Sequence, residues 1–166
     1  MAPVLKSFSD LVDYLRAERV PHEPTAASKS VHIPTEDGGV QIIRWQDEDG
    51  LIQFIQSMLR NLPAERMPAL ESAVARLNHA LAWVGLDLNH EHGLLSFRLA
   101  VPLMPGGTIE ASAIPSGFRV AVRAAARLMP ILTRVAAGEL TADAVVAETR
   151  RTVFAPDPPP QLFDTD

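Results

Sequence analysis

Two rhythms of apolar residues alternate along this chain. Phe8, Leu11, Val12 and Leu15 recur at i, i+3, i+4 and i+7, which lines one face of a helix and predicts one over residues 7–19. Ser7 stands where it can cap that helix, with Asp10 three residues on, and Pro21 stops it. Residues 21–30 are polar, hold two prolines and read as a loop. Three short strands follow: one around Val31 and Ile33, one over 40–46 with Ile42, Ile43 and Trp45, and one over 51–59. The acidic turns Glu36-Asp37-Gly38-Gly39 and Asp47-Glu48-Asp49-Gly50 join them into an antiparallel meander. Ile42-Ile43 and Leu51-Ile52 break strict alternation, so the register stays open.

The helical rhythm then returns. Met67, Leu70, Val74, Leu77, Leu81 and Val84 form a stripe at spacings of three and four, with Pro63 or Pro68 in its first turn and Gly85 at its end. Residues 86–89 and 94–103 read as a hairpin across His90-Glu91-His92-Gly93. Phe118, Val122, Ala125, Met129 and Leu132 predict a third helix, with Pro115 cutting off a short first piece and Pro130 kinking a helix that continues to Gly138. A short fourth helix is expected over 141–151. The predicted class is α+β, ordered α-β-β-β-α-β-β-α. Residues 1–151 form one domain with its core at 7–138, and residues 152–166 form a disordered, proline-rich acidic tail.

Composition narrows the possible chemistry. The chain has 166 residues, 47% of them hydrophobic, which suits one globular core. It has no cysteine, which removes disulfides, thiolate catalysis and Cys-based metal sites and fits a reducing cytosol. The first residues show no signal-peptide pattern, and Arg123, Arg127, Pro130 and Arg134 break the most apolar stretch, so no membrane span is expected. A net charge of −5 argues against nucleic acid as a partner. Thirteen arginines against two lysines, with many alanines, match a GC-rich bacterial composition.

Some local sequences carry a more specific likeness. Ile43-Arg44-Trp45 precedes an acidic glycine turn, and Leu77-Asn78 falls late in the second helix. Leu86-Asp87-Leu88, a turn ending at Gly93, and Leu94 to Leu99 follow, and then Arg127-Leu128-Met129-Pro130-Ile131-Leu132. In this order the chain resembles the YbjN family, described as sensory transduction regulators, and the type III secretion chaperone-like fold. The resemblance spans about four fifths of the chain and implies a non-catalytic, dimeric, protein-binding module; Pro34 and Pro115 depart from the pattern.

Four features were weighed for chemistry. His90 and His92 have metal-ligand side chains, with Glu91 between them, but a polar hairpin turn accounts for them and no third ligand stands nearby. The acidic turn 47–50 begins Asp-x-Asp-Gly without the later ligands of a calcium loop. Arg119, Arg123 and Arg127 stand at i, i+4 and i+8, with Arg134 further on; they form either a clamp for acidic segments or a solvated helix face. Trp83 lies off the stripe of the second helix and suits a subunit or partner contact. Gln41, Gln53, Gln56 and Ser96 are expected on an open, water-facing side of the sheet.

No catalytic motif, resident metal or cofactor is assigned. The expected protein is a cytosolic bacterial homodimer that binds a polypeptide segment of a partner, with Trp83, Arg119, Arg123 and Arg127 as candidate contacts. The alternative is a ligand-sensing regulator holding a small molecule between sheet and helices.

Overall fold

The computed structural model describes residues 3–35, 39–81 and 85–152. In chain order its elements are β1 (Val4–Leu5), α1 (Phe8–Ala17), β2 (Glu23–Thr25), β3 (Ser30–Pro34), β4 (Val40–Gln46), β5 (Leu51–Leu59), α2 (Met67–Ala80), β6 (Leu86–Asn89), β7 (Leu94–Pro102), β8 (Ile109–Glu110), α3 (Ala113–Ala137) and α4 (Val145–Thr152). The fold is α+β. An antiparallel sheet ordered β2-β3-β4-β5-β7-β6 is covered by helices, and β1 pairs with β8 as a separate two-stranded ribbon.

Three of these strands escape the period-two rhythm. β1 and β8 have two residues each, too few to show alternation. β2 has no buried residue and contains Pro24; its pairing with β3, not its side chains, makes it a strand, where a loop was expected.

Pairing settles the register. Ile43 lies opposite Phe54 and Trp45 opposite Ile52, and all four are buried beneath the helices. Ile42 and Ile55 pair on the other face. The double apolar steps in the sequence therefore supply one residue to each face. Gln56 follows Phe54 by two and so lies on the helix side, where it is only 9% exposed. That corrects its expected place on the open face. Gln41, opposite Gln56, shares that correction; Gln53 and Ser96 take the alternate parity, but Ser96 is only 4% exposed and Gln53 Oε1 is buried, so neither faces water as expected.

The helices follow their caps. Ser7 Oγ accepts the backbone N–H of Asp10 at 3.2 Å, and Asp10 in turn accepts that of Lys6 at 2.8 Å, which fixes the start of α1. α2 stops at Ala80, earlier than its stripe suggests: Leu81 is already extended at φ −111 and ψ 122, and Val84 lies outside the described residues. The Asn78 side chain donates to the Leu86 carbonyl at 2.9 Å and accepts from the Leu86 N–H at 3.0 Å, tying the end of α2 to β6. Gly85 therefore serves the sheet and not the helix end. Arg98 N–H reaches its carbonyl at 2.6 Å, and a Cβ at Gly85 would sit 1.9 Å from the Arg98 oxygen.

α3 is one continuous helix, so Pro115 does not split it. That proline sits in the first turn, where an N–H has no intrahelical acceptor to lose. Pro130 lies inside the helix, as expected. The buried face runs through Ile114, Gly117, Ala121, Ala125, Leu128, Leu132 and Val135. The apolar stripe chosen from the sequence is rotated from it: Phe118 and Met129 are half-buried and Val122 is 38% exposed. Gly117 lets α3 close onto β5, because a Cβ there would lie 2.4 Å from the Phe54 ring. Phe118 meets the same ring edge-on, with centroids 5.6 Å apart.

Candidate functional site

The displaced stripe of α3 forms one wall of a cleft of about 410 Å3 between that helix and the second half of β5. Val122, Ala126 and Met129 line it from α3, and Gln56, Met58 and Leu59 from β5, with Gly39 and Arg60 also at its margin. β5 carries a register irregularity between Ser57 and Leu59 against β7. Such a bulge turns successive side chains out of strict alternation, and here it brings both Met58 and Leu59 to the cleft.

One buried acceptor belongs to a residue of the cleft wall. Gln56 Nε2 donates to the Ser57 carbonyl at 3.0 Å, while its Oε1 is buried with no hydrogen-bond partner among the described residues. An unmet buried acceptor of this kind costs about 1–3 kcal/mol. Pro130 has no N–H, so it cannot supply the hydrogen bond that the carbonyl four residues earlier, at Ala126, would otherwise accept. Gln56 reads as a surface polar residue until the register turns it inward, and Pro130 reads only as a kink.

The arginine stripe stands on the same helix as the cleft's wall. Arg119, Arg123 and Arg127 are all exposed on α3. Arg119 donates to Ser116 Oγ at 3.2 Å, and none of the three is paired with a carboxylate among the described residues. At roughly 100° per residue, Ala126, Val122 and Met129 succeed one another within about 80° of Arg119 around the helix, on the side away from Arg123 and Arg127. Arg119 thus stands at the rim of the cleft, with Arg123 and Arg127 leading away from it over the exposed side of α3. Such a rim favours carboxylates, which guanidinium forks meet with two parallel hydrogen bonds.

Arg134 has a different task. It donates to Glu148 Oε1 at 2.6 Å and so fastens α4 to α3. Arg151 also bonds Glu148, at 3.0 and 3.1 Å. Arg151 first, then Arg134, holds the Glu148 carboxyl below the ordinary carboxylate range.

The other candidate groups lie elsewhere. His90 and His92 are exposed in the turn between β6 and β7, with His90 Nε2 3.9 Å from Glu71 Oε2 and the His92 N–H bonded to Asn89 Oδ1 at 3.0 Å. No group of three His, Asp or Glu residues able to hold a metal occurs among the described residues. The carboxylates of the turn after β4 are engaged locally: Asp47 pairs with Lys29, and Asp49 accepts from Gln46 at 2.9 Å. Trp83 lies outside the described residues. Among the described residues no helix is long and apolar enough to cross a membrane.

Comparisons with known proteins complete the description. No curated protein matches the chain. A chain of the solved "Structure of the HopA1-SchA Chaperone-Effector Complex" superposes with a TM-score of 0.49 at 12% identity, covering 72% of this chain and 91% of that one. The family model described as "YbjN: Putative bacterial sensory transduction regulator" matches residues 8–132, which span the start of α1, the whole sheet and the length of α3 that lines the cleft. The chain belongs to the YbjN family.

Proposed function

We propose that this chain is a non-catalytic cytosolic module, chaperone-like or regulatory, that binds a polypeptide segment of a partner protein in the cleft between α3 and β5. The observation that carries this reading is an apolar cleft beside a run of arginines, Arg119 nearest and then Arg123 and Arg127, none of them paired with a carboxylate among the described residues. An extended segment with an apolar anchor and flanking Asp or Glu fits both. A main-chain N–H of such a segment also suits the unpartnered Gln56 oxygen. Membership of a family described as putative sensory transduction regulators is in keeping with this reading. Self-association as a homodimer belongs to the reading, and sedimentation of the purified chain checks it.

A second reading, in which a small molecule occupies the cleft, draws on its volume, which lies within the range of ligand pockets. One set of titrations separates the two. Peptides with an apolar pair next to two carboxylates are titrated into the full chain and into its Val122→Asp and Arg119→Glu/Arg123→Glu variants. Each variant is expected to weaken peptide binding by about tenfold or more. Equal binding by all three chains would refute the site. Thermal stabilisation by a metabolite without peptide binding would favour the second reading.

A further inference from the structure

We infer that the cleft is occupied in cis by this chain's own residues 153–166, so that an external segment must displace an internal one. The inference rests on the cleft being a peptide site and adds its regulation. Residues 153–166 follow directly on α4 and read Val-Phe-Ala-Pro-Asp-Pro-Pro-Pro-Gln-Leu-Phe-Asp-Thr-Asp. They contain Asp157, Asp164 and Asp166 and no lysine or arginine. Leu162-Phe163 supplies an apolar pair beside two of those carboxylates. That is the chemistry the cleft and its rim select: apolar side chains against Val122 and Met129, and carboxylates against Arg119 and Arg123.

Placement and reach agree. α4 packs against α2 and α3, and its Glu148 is held by Arg134. α2 packs against β6, whereas the cleft lies over β5 towards Gly39, so α4 and the cleft occupy opposite flanks of α3. Arg119, Arg123, Arg127 and Arg134 fall within an arc of about 80° around the helix, and the cleft residues succeed Arg119 on its far side. A segment leaving α4 for the cleft therefore crosses the exposed arginines. From Arg134 back to Val122 is about 18 Å along the helix. The ten residues from Thr152 to Leu162 span about 31 Å even in a polyproline conformation, which leaves enough chain to cross over the helix. Pro156, Pro158, Pro159 and Pro160 limit the freedom of that span, which lowers the entropy lost on docking.

The absence of cysteine makes the test clean. Full-length Ala126→Cys/Phe163→Cys is oxidised at low protein concentration, beside a control carrying Ala75→Cys/Phe163→Cys. Ala75 is an exposed residue of α2, a helix that α4 also touches. The inference expects an intramolecular disulfide at Ala126 at least about tenfold faster than at Ala75, with the advantage lost when Asp164 and Asp166 become Lys. Equal rates at the two positions would overturn it, as would disulfide-linked dimers in place of the internal bond. An uncrosslinkable partner measurement uses Leu162→Asp/Phe163→Asp in the full chain. This variant should bind the added acidic–apolar peptide about tenfold more tightly; unchanged affinity counts against the inference even if a double-cysteine variant misfolds. If residues 153–166 fail both tests while the peptide still binds and Val122→Asp abolishes binding, only the inference falls. If the peptide fails as well, the peptide-site reading falls with it.

Discussion

Gly117 of α3 and Phe54 of β5 touch so closely that the Phe54 ring occupies the space of a Gly117 side chain. A Cβ placed there would lie 2.4 Å from ring carbon Cε2 and 2.5 Å from Cζ. Both residues are buried, and Phe118 packs against the same ring, so the ring has little room to yield. Gly117→Ala gains about 1 kcal/mol in helix propensity and loses more to overpacking, so a net loss of about 1–2 kcal/mol is expected in urea denaturation. A stabilised variant would show that α3 can lift from the sheet at small cost.

Asn78 joins α2 to β6 through both halves of its amide, which closes the helix end and sets the first residue of an edge strand. Asn78→Ala leaves the Leu86 N–H and carbonyl without these partners, and a loss of about 1–3 kcal/mol is expected. Hydrogen exchange at Leu86 should rise more than at Phe97 on the neighbouring strand. Uniform acceleration of both would argue against a local clamp.

Glu148 makes the docking of α4 acid-sensitive. Its folded carboxyl titrates below the unfolded value of about 4.3, so its contribution is complete above that pH and is lost as pH falls through the lower folded value. Lowering pH from 6 to 3 should expose α4 to proteolysis before the sheet unfolds. Glu148→Gln should weaken α4 docking at pH 6 and flatten this acid dependence; an unaltered acid limb in that variant would assign it to other carboxylates.

Gln56 sets stability against recognition. Replacing it by Leu removes a buried oxygen that has no partner and puts apolar atoms beside Met58 and Val122. Gln56→Leu is expected to raise stability by about 1 kcal/mol and to weaken peptide binding. A variant that is both less stable and equally good at binding would show that the amide already serves the fold.

The sequence made most of the sheet readable because burial and period coincide in it. The acidic glycine turn 47–50 marks where β4 ends and β5 begins, and Ser7 with Asp10 marks the start of α1. The short pairings of β1, β2 and β8 were not readable, since two or three residues show no rhythm and partners distant in sequence create the strands. The cleft was half readable. Arg119, Arg123 and Arg127 were marked by spacing alone, but the wall beside them was mistaken for core. Phe118, Val122 and Met129 have the spacing of a buried face, yet Gly117 and the alanines 121 and 125, with their small side chains, lie nearest the sheet. Hydrophobicity ranks Val and Met above Gly and Ala, whereas close approach reverses that order. Gln56 could not be found without the register that turns it towards α3.

α3 is a shared partition. One face seals the core, one flank bounds the cleft, and Arg134 holds α4 to it. Pro130 lies in α3 between Val122 and Arg134, at the kind of position where a helix bends. A partner seated beside Val122 and the Arg134–Glu148 contact thus bear on one helix, to either side of that proline. A single helix thus borders the cleft on one flank and carries the last helix of the described chain on the other.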